Sequence, residues 1–336
     1  MAQGSIKKAD LGKLIEAVRR DGRFFGPIDQ GDGACLAEVT PDAVLKLDYA
    51  NFTLPPKRMF FPRSEVIATH EASGMAAVPV QEGQVVLFGV RPCDALALTY
   101  LDKVFVDKQF TDPYYRSRRE RTLVISLACR EPAATCFCTS VHGAPDGRAG
   151  ADILAVEVGE ALVLESLTKA GEAFMTHHAK LFASPTPAQR TACDAQASEA
   201  AKKVSAVPID GLKAKLSGCA ENAGVWDDIA ERCLACGVCT YLCPTCHCFG
   251  LYDEQVGQTM RRVRAQDACT FPTFTQEASG HNPRTRHGMR MRQRVMHKFC
   301  YATENFGDIF CVGCGRCVAS CPAHLDIRET ITEVSQ

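Results

Sequence analysis

The cysteines of this sequence are grouped in a pattern that indicates metal-cluster binding. Nineteen cysteines occur among 336 residues. Two segments repeat the spacing Cys-x2-Cys-x2-Cys-x3-Cys-Pro, with cysteines at Cys233, Cys236, Cys239 and Cys243 and again at Cys311, Cys314, Cys317 and Cys321. Thiolates at i, i+3 and i+6 can wrap a short loop around three irons of one [4Fe-4S] cube. The repeat therefore predicts two such cubes.

The fourth cysteine of each repeat is expected to serve the other cube. In two-cluster bacterial ferredoxins, which share this spacing, the cysteine before the proline turns away from its own loop. We therefore predict that one cluster is bound by Cys233, Cys236, Cys239 and Cys321. The second cluster is predicted to be bound by Cys311, Cys314, Cys317 and Cys243.

Zinc is the main alternative metal that so many cysteines could bind. Structural zinc sites are usually built from paired Cys-x2-Cys knuckles, and a triplet followed by Cys-Pro, present twice, fits that pattern poorly. A disulfide framework would require export. The opening residues, MAQGSIKKADLGKLIEAVRR, lack the apolar core of a signal peptide. We therefore expect a cytoplasmic protein whose thiols bind clusters.

A third site is predicted where two buried strands end. The short apolar runs Gln84–Val90 and Thr122–Leu127 are typical of buried strands. In an open α/β sheet, binding sites form outside the carboxyl ends of the strands. The cysteines that follow these runs predict a third [4Fe-4S] cluster, bound by Cys93, Cys129, Cys136 and Cys138. The alternative is that these are buried structural cysteines, which are common and inert.

The remaining cysteines give no clear ligand pattern. For one group, a further site and packing around the cluster loops both stay open: Cys246, Cys248 and Cys269. Isolated cysteines are expected to be structural, namely Cys35, Cys193, Cys219 and Cys300.

The sequence patterns around these cysteines predict an α+β fold in three parts. These are an N-terminal α/β domain over 1–185, a helical bridge over 186–232, and a dicluster ferredoxin-like domain over 233–336 with a long basic insert at 244–310. In the first part we expect a helix at 7–20 and extended runs at 43–47 and 59–68. Two further strands are expected to meet in a tight turn at Gly159.

Composition excludes several other functions. The formal net charge of −1 argues against a general nucleic-acid or membrane-surface binder. The sequence has no run of 18 apolar residues, so we predict no membrane span.

The basic residues of the insert have two interpretations. They are Arg261, Arg262, Arg264, Arg284, Arg286, Arg290, Arg292, Arg294 and Lys298. Such a run most often forms a solvated helix face. Alternatively, because four thiolates outweigh the positive charge of an iron–sulfide core, nearby cations would stabilise a cluster and raise its reduction potential. The run lacks the interleaved aromatic residues of a nucleic-acid surface.

The cysteine segments resemble a known family. The strings CLACGVCTYLCPTCHCF, GHNPRTRHGMRMRQRVMHKFCY and CVGCGRCVASCPAHLDI resemble the beta subunit of cytosolic sulfhydrogenases, which are NAD(P)-linked [NiFe] hydrogenases. The elements RPCDALAL and TCFC resemble that family too, so the resemblance extends over nearly the whole chain. The iron–sulfur electron-transfer subunit of anaerobic sulfite reductases is similar in its cysteine arrangement. The stretch Gly280-His281-Asn282-Pro283-Arg284 favours the hydrogenase branch.

The resemblance implies an electron-transfer subunit without a complete active site of its own. Such a subunit relays electrons from a partner that binds flavin and NAD(P) to a catalytic [NiFe] module, or to a sirohaem sulfite reductase in the alternative branch. The sequence itself has no G-x-G-x-x-G and no Walker motif, so FAD and NAD(P) are expected on a partner. A different class of function, a stand-alone enzyme with substrate at the N-terminal cysteines, has no nucleophile–base constellation to support it. A scaffold with structural clusters is a third possibility.

Overall fold

Helices and strands are both present, which confirms the predicted α+β class. The computed structural model describes residues 2–31, 33–71, 74–80, 82–107 and 109–334. The strands are β1 Gln3–Lys7, β2 Gly22–Asp29, β3 Ala34–Glu38, β4 Ser64–Glu71, β5 Gly74–Ala77, β6 Gln84–Val90, β7 Thr122–Leu127, β8 Ile153–Val158, β9 Ala161–Ser166, β10 Phe249–Val256 and β11 Thr259–Gln266.

The α-helices fall between and after these strands. They are α1 Leu11–Arg19, α2 Pro92–Phe105, α3 Pro113–Glu120, α4 Lys169–His177, α5 Pro187–Lys202, α6 Leu212–Cys219, α7 Ala223–Glu231, α8 Val238–Tyr241, α9 His287–Met296, α10 Ala302–Phe306, α11 Arg316–Ala319 and α12 Ile327–Glu333. A π-helical turn, His297–Tyr301, joins α9 to α10. Within the described ranges, no helix is long and apolar enough to cross a membrane.

The chain divides into two compact units whose boundaries differ from the three predicted parts. The N-terminal unit comprises Met1–Pro56, Gln81–Ala206 and the short segment Val312–Cys314. The C-terminal unit comprises Lys57–Val80, Val207–Cys311 and Gly315–Gln336. The sequence between 186 and 232 is helical, as expected, but α5 belongs to the first unit and α6 and α7 belong to the second. Patterns along the sequence do not reveal such long-range groupings.

The N-terminal unit is built on a seven-stranded sheet in the order β1-β9-β8-β7-β6-β2-β3. The four strands β2, β6, β7 and β8 run parallel, and antiparallel strands complete both edges. The apolar runs of β6 and β7 are buried from their third residues onward. Central parallel strands are covered on both faces, which explains why these two sequences are continuously apolar.

Helix α1 covers part of this sheet with one apolar stripe. Its residues Leu11, Leu14, Ile15 and Val18 are spaced three or four apart and all are buried. They pack in one core with sheet residues that include Phe88. Amphipathic spacing of this kind places a whole helix face against a core.

Two expectations for the N-terminal unit had different outcomes. The helix expected at 7–20 is present, as a 3-10 turn at Lys8–Asp10 followed by α1, although Lys7 itself ends β1, which pairs with β9 across more than 150 residues of sequence. The extended run at 43–47 is not a strand, although the Lys46 N–H donates to the Pro27 carbonyl at 2.9 Å. Strand β2 is already paired with β3 and β6 on its two sides, so it has no free side on which this run could pair as a further strand.

The C-terminal unit combines a small sheet with short helices. Strands β10-β11-β4-β5 form a four-stranded antiparallel sheet, in which β4 begins only at Ser64, after Pro62. Arg264 of β11 forms a buried ion pair with Glu65 of β4 at 2.6 Å. The basic insert therefore folds largely as the β10–β11 hairpin followed by α9.

Arg91 fixes the end of β6 within the N-terminal unit. Its buried guanidinium donates to the carbonyls of Leu127 and Ala128 at 3.2 and 3.0 Å, and to those of Leu47 and Tyr49. It also lies 3.9 Å from the centroid of the Tyr49 ring. These bonds hold the chain just before Cys93 against the chain just before Cys129. A substitution here leaves buried carbonyls without donors, which is costly.

We expect Arg91→Met to lower the free energy of unfolding by about 2–4 kcal/mol, because several buried carbonyls lose their donors at once. Denaturant unfolding followed by far-UV circular dichroism measures this loss. The matched control is Arg130→Met: Arg130 pairs with Asp48 and Glu157 at 3.4 and 3.7 Å with its side chain 48% exposed. That change should cost less than about 1 kcal/mol. Equal costs for the two variants would contradict the role assigned to Arg91.

Candidate iron–sulfur sites

The two cysteine motifs, residues 233–244 and 311–322, adopt the same local backbone. The third position of each is left-handed, at Ala235 with φ 52° and at Gly313 with φ 60°. The fifth position is left-handed too, at Gly237 with φ 75° and Gly315 with φ 73°. A short helix covers each motif's third cysteine position, α8 in the first and α11 in the second. The sequence repeat is therefore also a conformational repeat.

One cavity of the C-terminal unit is lined by the predicted ligands of the first cluster. Cys233, Cys236, Cys239 and Cys321 all line it, so the structure brings the fourth cysteine of the second motif to the loop of the first. Two sulfurs accept backbone hydrogen bonds: Cys233 Sγ from the Ala235 N–H at 3.4 Å and Cys321 Sγ from the Leu325 N–H at 3.2 Å. Such N–H···S bonds stabilise thiolates and tune the potential of a bound cluster.

Two polar atoms beside this cavity lack partners. Arg294 Nε and Thr270 Oγ1 are buried without a hydrogen bond to any described residue, and both residues line the cavity. Buried polar groups are nearly always hydrogen-bonded. Anionic sulfur atoms inside the cavity would accept from these donors. The four thiols, the two backbone N–H···S bonds and the unsatisfied donors together fit a [4Fe-4S] cluster.

The predicted ligands of the second cluster are distributed over the chain's two units. Cys243, Cys311 and Cys317 belong to the C-terminal unit, and Cys314 belongs to the N-terminal unit. Their assignment to a single cluster rests on the spacing of the motif. Cys317 also lines the cavity of the first cluster.

A buried lysine contacts Cys243. The Nζ atom of Lys298 lies 3.1 Å from Cys243 Sγ and 3.4 Å from Cys246 Sγ, and it also donates to Thr245 Oγ1 and to the Phe310 carbonyl, both at 3.2 Å. A hydrogen bond from Cys246 and the positive charge of Lys298 hold the pKa of the Cys243 thiol well below its usual range in spite of burial. The environment of Cys243 therefore favours a thiolate, which is the form that binds iron.

The third site lies where β6 and β7 end side by side. These strands are parallel, with Val90 opposite Ser126. Cys93 and Cys129 follow them directly, so both lie at the carboxyl edge of the sheet. Burial, together with the charges of Cys129 and Cys136, raises the pKa of Cys138 to about 12. The structure thus places these thiols near one another, as sites in open sheets are expected to lie.

Asn51 connects this third site to the second cysteine motif. Its Oδ1 accepts from Cys93 Sγ at 3.8 Å, and its Nδ2 lies 4.0 Å from Cys136 Sγ. The same Nδ2 donates to the Cys314 carbonyl at 2.8 Å. Cys136 Sγ is 3.8 Å from that carbonyl. Asn51 was not identified from the sequence, because nothing local marks an asparagine as a neighbour of distant cysteines.

The second motif packs tightly on the third site through Gly313. The Phe137 N–H donates to the Gly313 carbonyl at 2.8 Å. A Cβ atom at Gly313 would lie 2.5 Å from the backbone nitrogen of Cys138. With its positive φ, this position therefore requires glycine.

The described side chains do not form a ready-made site for a single metal ion. In the part of the chain that the structure describes, no three Cys, His, Asp or Glu side chains converge as they would on one metal ion. A [4Fe-4S] cube carries its irons at four corners, so its thiolates surround a volume instead of a point. The cavity is lined by five cysteines, the four predicted ligands of the first cluster and Cys317, which agrees with a cube better than with zinc.

The other cysteines fall into two groups. Cys248 and Cys269 hydrogen-bond to each other, and that bond and burial raise the pKa of Cys269. Three cysteines expected to be structural lie in regular elements: Cys35 in β3, Cys193 in α5 and Cys219 at the end of α6. Cys300 is fully buried in the π-helical turn, and its thiol lies 3.7 Å from the Lys213 carbonyl.

Known proteins match the chain in these same regions. The family model for a 4Fe-4S dicluster domain matches residues 232–325, which include both cysteine motifs. The chain is 32% identical over 326 residues to Sulfhydrogenase 2 subunit beta of Pyrococcus furiosus, and the alignment covers 96% of each protein. The chain belongs to the sulfhydrogenase beta-subunit family. This confirms the family resemblance of the cysteine segments and the presence of a C-terminal dicluster domain.

Membership of the sulfhydrogenase beta-subunit family settles the general class of function. A homologue of this subunit that carries a 4Fe-4S dicluster domain is an iron–sulfur, electron-transfer protein. Zinc was the alternative for the cysteine motifs, and the dicluster match favours iron. The family match extends over the N-terminal unit as well, which contains the four cysteines of the predicted third site.

We expect Cys138→Ala to remove about four irons per chain, because the predicted third cluster would lose a ligand that is buried beside Cys129 and Cys136. Iron and acid-labile sulfide assays on the full-length variant measure the loss. The matched control is Cys300→Ala, which also removes a buried thiol but not a predicted ligand. Full iron content in Cys138→Ala would show that Cys93, Cys129, Cys136 and Cys138 hold no cluster.

Proposed function

We propose that this chain is the electron relay of a cytoplasmic hydrogenase complex, passing single electrons along three [4Fe-4S] clusters. The observation that carries the proposal is the cavity lined by Cys233, Cys236, Cys239 and Cys321, with unsatisfied donors at its wall. It is supported by the family match to a sulfhydrogenase beta subunit.

Each cluster has its own proposed ligand set. The first is held in the cavity by Cys233, Cys236, Cys239 and Cys321. The second is held by Cys311, Cys314, Cys317 and Cys243, and the third by Cys93, Cys129, Cys136 and Cys138. Exchange of the fourth ligand links the first and second clusters closely, as in two-cluster ferredoxins.

The third cluster is proposed to lie next to the second. Cys136 of the third site and Cys314 of the second set meet through the contact between Cys136 Sγ and the Cys314 carbonyl at 3.8 Å. The Asn51 amide lies against both of them. The proposed order along the relay is therefore third, second, first.

The residues of this chain contribute orientation, burial and charge. Bound clusters supply one-electron redox chemistry. The Ala235 and Leu325 N–H groups orient two ligand sulfurs. The carboxyl edge of β6 and β7 positions two further sulfurs, those of Cys93 and Cys129. The hydrogen bonds of Arg91 hold this edge in place. Where the ligands are buried, as at Cys136, Cys138 and Cys314, the surroundings keep water away and so preserve the effect of each nearby charge.

The partners are proposed from chemistry and from the family. Clusters of this kind pass single electrons, whereas hydride transfer requires a flavin or nicotinamide. The sequence carries no dinucleotide-binding fingerprint, so we place FAD and NAD(P) on a partner subunit. The relative in Pyrococcus furiosus is a sulfhydrogenase subunit, so the proposed terminal partner is a [NiFe] catalytic module. Co-purification with a sirohaem subunit would instead indicate the sulfite reductase branch.

The relay is tested with the full chain and its flavin subunit. Alone, the chain should be reduced by dithionite but should show no NAD(P)H oxidation, hydrogen uptake or sulfite reduction. When the flavin subunit is present, NAD(P)H should bleach the cluster absorption. The Cys236→Ala variant should bleach less because the first cluster is damaged, and Cys300→Ala should match the wild type. Turnover of any of these substrates by the flavin-free chain would overturn the relay assignment.

A further inference from the structure

Three buried cations lie at four-residue intervals from α9 into the π-helical turn. Arg290, Arg294 and Lys298 are 7%, 5% and 4% exposed. Residues four apart lie on one face of a helix. The π-helical turn at His297–Tyr301 carries the last of them. Single π-helical turns within α-helices are rare overall, and those that do occur are often found at functional sites.

The three cations have different partners. Arg290 donates to the backbone carbonyls of Thr270, Arg284 and Thr285 at 3.1, 3.0 and 2.7 Å, which is a structural role. Arg294 lines the cavity of the first cluster. Lys298 contacts the sulfurs of Cys243 and Cys246. The face thus changes from structural contacts to sulfur contacts along its length.

A second buried lysine adds charge near the same sulfurs. Lys57 is 2% exposed, and its Nζ donates to the Cys246 carbonyl at 2.8 Å. Among the described residues, neither Lys57 nor Lys298 forms an ion pair with a carboxylate. A buried ammonium is expensive unless an anion compensates for it. The nearest groups able to carry that negative charge are the cysteine sulfurs.

We propose that Lys298 tunes the reduction potential of the cluster that Cys243 binds, raising it selectively above the value the cluster would have alone. This rests on the proposed function, since it assumes that Cys243 is a ligand. Reduction adds a negative charge to the cluster, and a cation in contact with a ligand sulfur stabilises the reduced form more than the oxidised form. Donation to the sulfur acts in the same direction.

The effect is selective because of where the ammonium lies. Lys298 touches Cys243, whereas the cavity of the first cluster is lined by Arg294 and not by Lys298. The sulfurs that the Lys298 ammonium contacts are those of Cys243 and Cys246, and neither is a predicted ligand of the third cluster. Buried charges are screened little by water, so contact distance decides which cluster responds most.

The test is a redox titration of the full-length chain, with each cluster followed by electron paramagnetic resonance. In Lys298→Met, the equilibrium constant for reducing one cluster should fall at least about tenfold, which for a one-electron couple is about 59 mV. The other two clusters should keep their potentials. Lys298→Arg, which retains the charge, should stay near the wild type. Lys57→Met, whose ammonium bonds to a carbonyl and not to sulfur, should give a smaller shift.

Other outcomes decide the proposal as well. Full iron content and unchanged potentials in Lys298→Met would overturn it, as would equal shifts in all three clusters. If Lys298→Met and Lys298→Gln both lose one cluster while Lys298→Arg keeps it, the positive charge is needed to retain the cluster, which would overturn a role in tuning its potential. Loss of the cluster in all three variants would assign Lys298 a role in packing alone. A wild-type chain without redox-active clusters would instead refute the relay itself.

Discussion

The C-terminal unit buries several positive charges, and each of them must be compensated by a nearby negative charge. The rest of this unit depends on that constraint. Lys57, Arg294 and Lys298 are almost fully buried, and the atoms around their charged groups are carbonyls, hydroxyls and cysteine sulfurs. Such an arrangement is unfavourable in a protein with neutral thiols. It becomes favourable when the thiols are iron-bound thiolates. We therefore expect cluster binding to stabilise the fold of this unit, as in other proteins whose metal centres complete the structure.

In the N-terminal unit, the sheet brings cysteines from distant positions in the sequence to its carboxyl edge. Parallel β6 and β7 end together, and Arg91 fixes the chain just beyond them. The segment Val312–Cys314 then belongs to this same unit, held by the Phe137 and Asn51 hydrogen bonds. A residue of the second motif therefore lies against the third site. In the proposed relay, this contact would link the third cluster to a ligand of the second.

Local patterns predicted the parts of this protein that depend on local physics. The cysteine motifs were recognisable because thiolate spacing and glycines at left-handed positions are fixed by the cube that they surround. Strands β6 and β7 were recognisable because central parallel strands are apolar throughout. The contacts of Asn51 and Lys57, and the pairing of β1 with β9, join residues far apart in sequence and leave no local signal. The basic insert gave a partial signal: Arg290, Arg294 and Lys298 are spaced by four, but only the structure separates them from exposed ion-paired neighbours such as Arg286.

The central claim is that the cysteines of this chain bind three [4Fe-4S] clusters, and that the negative charge of the two clusters of the dicluster domain compensates the buried cations Lys57, Arg294 and Lys298. Its most direct measurement is the iron and acid-labile sulfide content of the full-length protein after anaerobic reconstitution. The account predicts about twelve irons and about twelve sulfides per chain, since three cubes hold four of each. Stoichiometric zinc, or a folded protein free of both iron and sulfide, would contradict it.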